Sequence, residues 1–340
     1  MQAVRWHARR DIRVEQVPEP GAPPAGWVRL RVEVCGICGT DLEEYLAGPL
    51  VLPHDGPHPL TGAFPPMTLG HEIVGVVEES AAGGALRPGT RVAVDGNLFC
   101  GKCDWCRRGE TTLCVTLAAI GQGCDGGLAD YVLAPEYSCV PYEAEPEIAA
   151  FAEPLSVAVR AVRRGAVGIG ARVGIIGAGT IGLLVTQVAK LAGAAEITVV
   201  EPHPQRRELA ARLGADRVVE SADLADQPDI TFDAGGRPVT STLAVRWVRR
   251  GGRAVLLSVF NGDTPVQMMD FLLGEKDVIA SLSHTYNDDF PTAVRLLERG
   301  DITVRPLITD RLALADVVRL GFEALRTAPS EHLKVLAFPG

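Results

Sequence analysis

Val28-Arg29-Leu30-Arg31-Val32-Glu33-Val34 alternates apolar and polar side chains, the period of a strand with one buried face. Ile73-Val74-Gly75-Val76-Val77 and Arg91-Val92-Ala93-Val94 read as further short strands bounded by glycine and proline. Residues 1–7 read as a strand entering the fold, so residues 1–150 are strand-rich. Residues 46–68 are dense in proline and glycine, which predicts a loop lying over a site. The pattern changes near Phe151. A helix is expected at 156–164, a buried strand at Arg172-Val173-Gly174-Ile175-Ile176, then a glycine turn and a helix at 180–192. Ile197-Thr198-Val199-Val200 is the next strand and 203–213 the next helix, with apolar strands recurring at 230–232, 254–259 and 278–282. Strands alternating with helices predict a parallel sheet covered on both faces. Helices at 290–299 and near 315–326 and a strand at 333–338 complete the chain, and no internal repeat is visible.

Composition narrows what such a chain does. Its 340 residues are enough for two domains at ~150 residues each. A net charge of −9 argues against nucleic acid and anionic membrane as partners, because binding phosphate needs a positive footprint. No run of 18 uncharged apolar residues predicts a transmembrane helix, and the first residues lack the apolar core of a signal peptide. The cytoplasm is the default compartment. In that reducing setting the tight spacing of four of the eight cysteines favours metal over disulfides.

Those four form C-x2-C-x2-C-x7-C: Cys100, Cys103, Cys106 and Cys114. Closely spaced thiolates on a turn converge on one tetrahedral zinc, and four protein ligands leave no open position, so the site reads as structural. Unrelated free thiols and an iron–sulfur cluster are the alternatives; the tight spacing suits a single ion better. Cys35, Cys124 and Cys139 have no partner at metal spacing and read as buried small apolar residues.

Gly177-Ala178-Gly179-Thr180-Ile181-Gly182 is G-x-G-x-x-G between an apolar strand and an apolar helix, the context that a dinucleotide site requires. Gly177 serves the tight turn, Gly179 the approach of the pyrophosphate and Gly182 the packing of helix on strand, while Thr180 and Ile181 open the helix whose N-terminus favours the anion. Glu201, 19 residues beyond Gly182, can bind the ribose hydroxyls of NAD and would repel the extra phosphate of NADP. Arg206 is a candidate cofactor contact and Arg207 follows it; solvated helix charges are the alternative for both. Asp233-Ala234-Gly235-Gly236 is expected beside the cofactor.

Cys38, His71, Glu72 and Glu153 are donors that suit a zinc ion with an open position, although their scattered spacing does not bring them together. Taken singly, His71 reads first as a hydrogen-bonded structural histidine, and Glu153 as a carboxylate favoured at a helix start. His54 and His58 read as solvated loop residues, and His284 as a residue at a subunit contact.

Cys38-Gly39-Thr40-Asp41, Gly70-His71-Glu72, the cysteine knot and Glu153-Pro154-Leu155 occur in that order along the chain. In these motifs the sequence resembles the zinc-containing medium-chain alcohol dehydrogenase family over essentially its whole length. Glu153-Pro154-Leu155 looks like the polyol, threonine and butanediol dehydrogenase branch, and the loop from Tyr45 to Glu72 is most similar to that of (R,R)-2,3-butanediol dehydrogenases.

The resemblance implies an α/β protein with a mainly β, GroES-like catalytic domain (1–152 and 289–340) and a doubly wound Rossmann domain (153–288), with the active site in the cleft between them. It implies one catalytic and one structural zinc per chain, NAD, and a homodimer or homotetramer. Cys38 and His71 would bind the catalytic zinc, with Glu72 or Glu153 completing the shell. Zinc would polarise the substrate carbonyl, or equivalently lower the pKa of the alcohol. Thr40 would pass the proton onward. Relatives usually carry histidine where this chain has Glu43, and a carboxylate relays protons from a lower reference pKa. The expected reaction is hydride transfer between NAD and a secondary alcohol or ketone, a vicinal diol or hydroxyketone such as 2,3-butanediol/acetoin. A sugar alcohol, cyclitol, threonine or biosynthetic hydroxyl is the alternative substrate. A non-catalytic zinc protein is the alternative of another class. A zinc-free reductase on the same fold should lack Cys38, His71 and the knot, and this chain has them all.

Overall fold

Trp27–Ile37 is the strand around which the first part of the molecule is built. Its leading half alternates buried and accessible positions, and its last four residues are all buried. It pairs antiparallel with Glu72–Ser80 on one side and with Lys334–Phe338 on the other, and Tyr131–Pro135 also pairs with its first half. Arg91–Val94 and Cys139–Pro141 extend this sheet beyond Glu72–Ser80, and Ile308–Ala313 extends it beyond Lys334–Phe338. A smaller sheet joins Asp11–Gln16, Gln2–Ala8 and Met67–Thr68. Val4, Leu30, Val32, Cys35, Ile73, Val92 and Val335 are fully or almost fully buried in the shared core.

This computed structural model describes residues 1–260 and 262–340. The chain divides into two units, Met1–Glu153 with Thr285–Gly340, and Pro154–His284. The second unit is a six-stranded sheet in the order Arg217–Val219, Glu196–Val200, Arg172–Ile176, Ile230–Asp233, Arg253–Leu256, Asp277–Ala280, with every neighbouring pair parallel. The chain starts at Arg172–Ile176, runs outward to one edge and returns to build the other. This is the doubly wound arrangement, whose ligands bind where the strand order reverses. Gly174 lets Trp247 lie against the sheet, because a Cβ there would come 2.5 Å from the indole ring. Among the described residues no helix is long and apolar enough to cross a membrane.

The periodic segments fold as their patterns predict, with small changes of boundary. One does not. The helix expected near 315–326 is a short turn at Leu314–Asp316, a widened turn at Val317–Phe322 and a helix at Glu323–Thr327. Gly321 lies within it, packed where a Cβ would sit 2.8 Å from Ile37. Glycine disfavours a regular helix, and here it permits the close approach.

The helix Gly39–Ala47 follows directly on Cys38. Glu44 on this helix is buried and anchors the loop beyond it. Its carboxylate accepts the amides of Leu50, at 3.0 Å, Leu52, at 3.2 Å, and Val51. Trp6 donates its indole N–H to the Glu44 carbonyl at 3.0 Å. Further along the loop, Thr61 donates to the carbonyl of Gly123. Replacing Glu44 by alanine leaves three amides without their charged acceptor, which should cost about 2 kcal/mol. Denaturant unfolding checks this; a wild-type midpoint for Glu44→Ala would show that the anchor contributes nothing.

Candidate active site

Two paired strands bring the scattered donors together. Cys38 lies just past the end of Trp27–Ile37 and His71 just before the start of Glu72–Ser80, and in that pairing Gly36 stands opposite Glu72. His71 is buried, with Nδ1 3.4 Å from Asp41 Oδ1 and 3.5 Å from Gln122 Nε2. Asp41 is buried too, and its other oxygen accepts the Cys38 amide at 3.0 Å. One carboxylate therefore steadies both residues, the orientation by which a carboxylate behind a histidine prepares it to bind a metal. The Cys38 thiol lies 3.6 Å from Thr40 Oγ1.

Charge at this site favours a cation. Burial works against protonation of His71, but Asp41 and then Cys38 overcome it and hold its pKa well above the usual histidine value. Lys334 is buried beside Glu72, 2.5 Å from one carboxylate oxygen. Burial disfavours its charge also, yet Glu72, then Cys38, and finally Glu153 raise its pKa. Glu153, in the first turn of the helix Ala152–Gly165, thus belongs to the same electrostatic neighbourhood. The buried Asp41 Oδ1 has no hydrogen-bond partner among the described residues beyond this approach to His71. The Cys38 and His71 donors fit a cation, while Glu72 is turned to Lys334 and Glu153 reaches this neighbourhood through its charge.

The knot is a different kind of site. Ligand atoms of Cys100, Cys103, Cys106 and Cys114 all lie within 4.8 Å of one another, with sulfurs 3.5 Å apart for Cys103 and Cys106 and 4.0 Å for Cys100 and Cys106. Four sulfurs at ~2.3 Å from a tetrahedral zinc stand ~3.8 Å apart, so the cluster fits one ion. The amide of Cys114's neighbour in space, Cys100, donates to Cys114 Sγ at 3.3 Å, and the Cys103 amide donates to Cys100 Sγ at 3.4 Å. Backbone donors, from Lys102 and then Cys103, lower the Cys100 thiol to about 6, whereas burial and the neighbouring thiols push Cys106 up to about 12.

In the second unit Gly177 turns with φ +98°, which strongly favours glycine, and a Cβ there would also press on the Ala234 carbonyl at 2.9 Å. A Cβ on Gly182 would overlap the Gly177 carbonyl, whereas Gly179 faces open space ahead of the helix Thr180–Leu191. Ile181 lies in the first turn of that helix. Glu201 is buried, and its carboxylate accepts the Ala178 amide at 2.8 Å and the His203 amide at 3.0 Å. It thus ties the end of its own strand to the glycine turn. Arg207 donates to the carbonyls of Glu201 and Pro202, while half-buried Arg206 has its pKa lowered by burial against the opposing pull of Glu201. Gly235 donates to Asp233 at 3.1 Å, next to Gly177.

Several residues stand apart. Glu43 is half-buried on the helix that carries Thr40. His58 has both ring nitrogens engaged by backbone groups, of Leu117 and Leu60. Cys35 is buried, and Cys124 and Cys139 are thiols pushed up to about 12 by burial. Size does not mark the site: a cavity of about 720 Å³ opens in the first unit among Trp27, Phe99, Tyr131 and Tyr137, and none of Cys38, His71 and Glu72 lines it. The sequence reading gave no role to Asp41, Gln122 or Lys334. Asp41 lies in the Cys38-Gly39-Thr40-Asp41 segment, and the trace left by Lys334 is a lysine opening an apolar strand.

Residues 24–144 match the alcohol dehydrogenase GroES-like domain, and residues 180–299 match the zinc-binding dehydrogenase family. The (R,R)-butanediol dehydrogenase of Bacillus subtilis (strain 168) is 35% identical over 353 residues, covering 100% of both chains. The L-threonine 3-dehydrogenase of Pyrococcus horikoshii is 32% identical, covering 91% of this chain and 90% of its own. Among solved structures, 2R,3R-butanediol dehydrogenase from Bacillus subtilis superposes with TM-score 0.91 at 32% identity, covering 100% of this chain and 99% of that one. A zinc-binding dehydrogenase from Sinorhizobium meliloti 1021 bound to NADP does so with TM-score 0.88 at 30% identity, covering 99% of each. The chain belongs to the zinc-binding, GroES-like alcohol dehydrogenase family. It is an alcohol dehydrogenase that uses zinc and a nicotinamide dinucleotide.

Cys103→Ser should remove about one zinc per chain, because three thiolates no longer close the tetrahedron. Elemental analysis with limited proteolysis around residues 100–116 reads both metal and local order. Unchanged metal content would overturn the structural assignment of the knot.

Proposed function

We propose that this enzyme interconverts a secondary alcohol and its ketone, with a vicinal diol or α-hydroxyketone as substrate and NAD as hydride acceptor. The observation that carries the reading is the Cys38–His71 pair backed by Asp41, in a chain alike over its whole length to a butanediol dehydrogenase. In this reading the unit Met1–Glu153 with Thr285–Gly340 handles the substrate, and Pro154–His284 holds the dinucleotide.

Zinc on Cys38, His71 and a carboxylate would polarise the substrate oxygen and lower the pKa of the alcohol. Asp41 engages His71 Nδ1, so Nε2 would be the nitrogen left to bind the ion. Thr40 accepts the alcohol's hydrogen bond and, as it takes that proton, hands its own on toward Glu43 or water. In the second unit Gly177, Gly179, Thr180, Ile181 and Gly182 receive the pyrophosphate, and Glu201 takes the ribose hydroxyls. Arg206 is the further cofactor contact, and Glu201 disfavours a 2′-phosphate. A polyol or amino alcohol is the second reading, favoured by the likeness to L-threonine 3-dehydrogenase and by Glu43 in place of histidine.

A panel of diols, polyols and amino alcohols, each with NAD and NADP, tests this through the absorbance of the reduced cofactor. The expected leader is 2,3-butanediol or acetoin with NAD. Turnover confined to amino alcohols would replace the substrate, and preference for NADP would overturn the role of Glu201. On the leading substrate, a Glu43→Ala pH–rate profile that overlays wild type would remove Glu43 from the relay.

The parallel sheet also supports a homodimer or homotetramer. Asp277–Ala280 is its edge strand, with Val278 42% exposed, and on the nearby helix Met268–Leu273 Met269 is 66% and Leu273 61% exposed. An open strand edge beside exposed apolar side chains is a ready surface for a second copy. Light scattering on Val278→Lys with Leu273→Glu should show monomers; an unchanged assembly would exclude this face. The proposed compartment is the cytoplasm, whose reducing conditions keep the knot thiols available for metal.

A further inference from the structure

Strand register in the small sheet of the first unit pairs Trp6 with Met67 and Arg5 with Thr68. Trp6 and Met67 are buried in the core. Side chains alternate along a strand, so Arg5 and Thr68 take the opposite face. Both line the cavity of about 720 Å³, which lies apart from Cys38, His71 and Glu72. Its other walls carry the rings of Trp27, Phe99, Tyr131 and Tyr137.

Polar groups on this face lack partners. Thr68 is 1% exposed, and its hydroxyl has no hydrogen-bond partner among the described residues. Arg5 Nε is buried and equally without one. One Arg5 Nη meets the Pro66 carbonyl, and the other stands 3.8 Å from Asp125, outside hydrogen-bond reach. A guanidinium has five N–H donors, so most of these are unused. Arg5 is the one basic side chain among the lining residues. Its side chain is 17% exposed and that of Asp125 61%, so the cation is drawn in while water screens its counter-charge.

We propose that this cavity is a second small-molecule site, separate from the Cys38–His71 site, and that it takes an aromatic carboxylate. Its volume suits a ligand of a few rings. Aromatic walls favour a flat ring in offset or edge contact. A carboxylate is the acceptor that answers a guanidinium with donors left over, and Thr68 adds a hydroxyl donor on the same face. One molecule with a ring for the walls and an anion for the sheet meets both demands.

Calorimetric titration of the full-length protein with 2-naphthoate tests this, with uncharged 2-naphthamide as the matched probe. One naphthoate should bind per chain, about 10-fold tighter than naphthamide. Arg5→Gln should abolish that difference. Asp125 accepts the Thr68 amide at 2.8 Å. Asp125→Asn keeps an oxygen for that amide and removes the like charge, so it should tighten naphthoate alone, by about 2–5-fold. Because Asp125 is exposed, this variant tests the site even if Arg5→Gln fails to fold. Leu60 also lines the cavity. Leu60→Trp fills it and should weaken both probes at least about 10-fold. Saturating NAD should change none of these values. Absence of saturable binding would overturn the proposal, as would naphthamide binding as tightly as naphthoate. Naphthoate binding that ignores both Asp125→Asn and Leu60→Trp, or that NAD displaces, would overturn it as well.

Discussion

The register of Trp27–Ile37 between its two antiparallel neighbours is the constraint from which the first unit's chemistry follows. Gly36 is paired with Glu72 on one flank and Leu336 on the other, so the segments just beyond these pairs meet at one place. Cys38 leaves one strand there, His71 enters the second and Lys334 begins the third. Side chains alternate along a strand, so a slip of one residue would turn Glu72 and Lys334 to opposite faces. The same register supplies the apolar floor through Cys35, Ile37, Ile73 and Val335. Core packing and donor placement are consequently one geometric fact.

The two proposed metal sites differ in how they obtain order. The knot draws its four sulfurs from a short segment, and its local amides point at those sulfurs. Its geometry needs little help from the rest of the fold beyond an ion to close it. The Cys38 site draws on residues as far apart as Asp41 and Lys334, and their charges must be set against one another before any ion arrives. Like groups there end in unlike states. Asp41 steadies a histidine and an amide, while Glu72 is sequestered by an ammonium.

The second unit solves its problem within the backbone. Gly177 and Gly182 allow contacts that a side chain would forbid, and Glu201 binds the turn through the Ala178 amide. A buried carboxylate is costly unless it is hydrogen-bonded. Glu201 meets that cost with two amides, and the same bonds hold it at the end of its strand.

The strongly periodic elements, the cysteine knot and the glycine turn were legible along the chain alone. In each, the information is local: alternation along a strand, four thiols within fifteen residues, glycines ordered between a strand and a helix. Sequence order and family resemblance named Cys38, His71, Glu72 and Glu153, but they could not rank the two glutamates. The Lys334–Glu72 contact was not legible either, because no local pattern ties a residue on the chain's last strand to Glu72. The widened turn at Val317–Phe322 was equally illegible, because it answers to the packing of Gly321 against Ile37. Burial and strand register join residues hundreds of positions apart, and at those distances electrostatics and packing, which act through space, decided what the sequence left open.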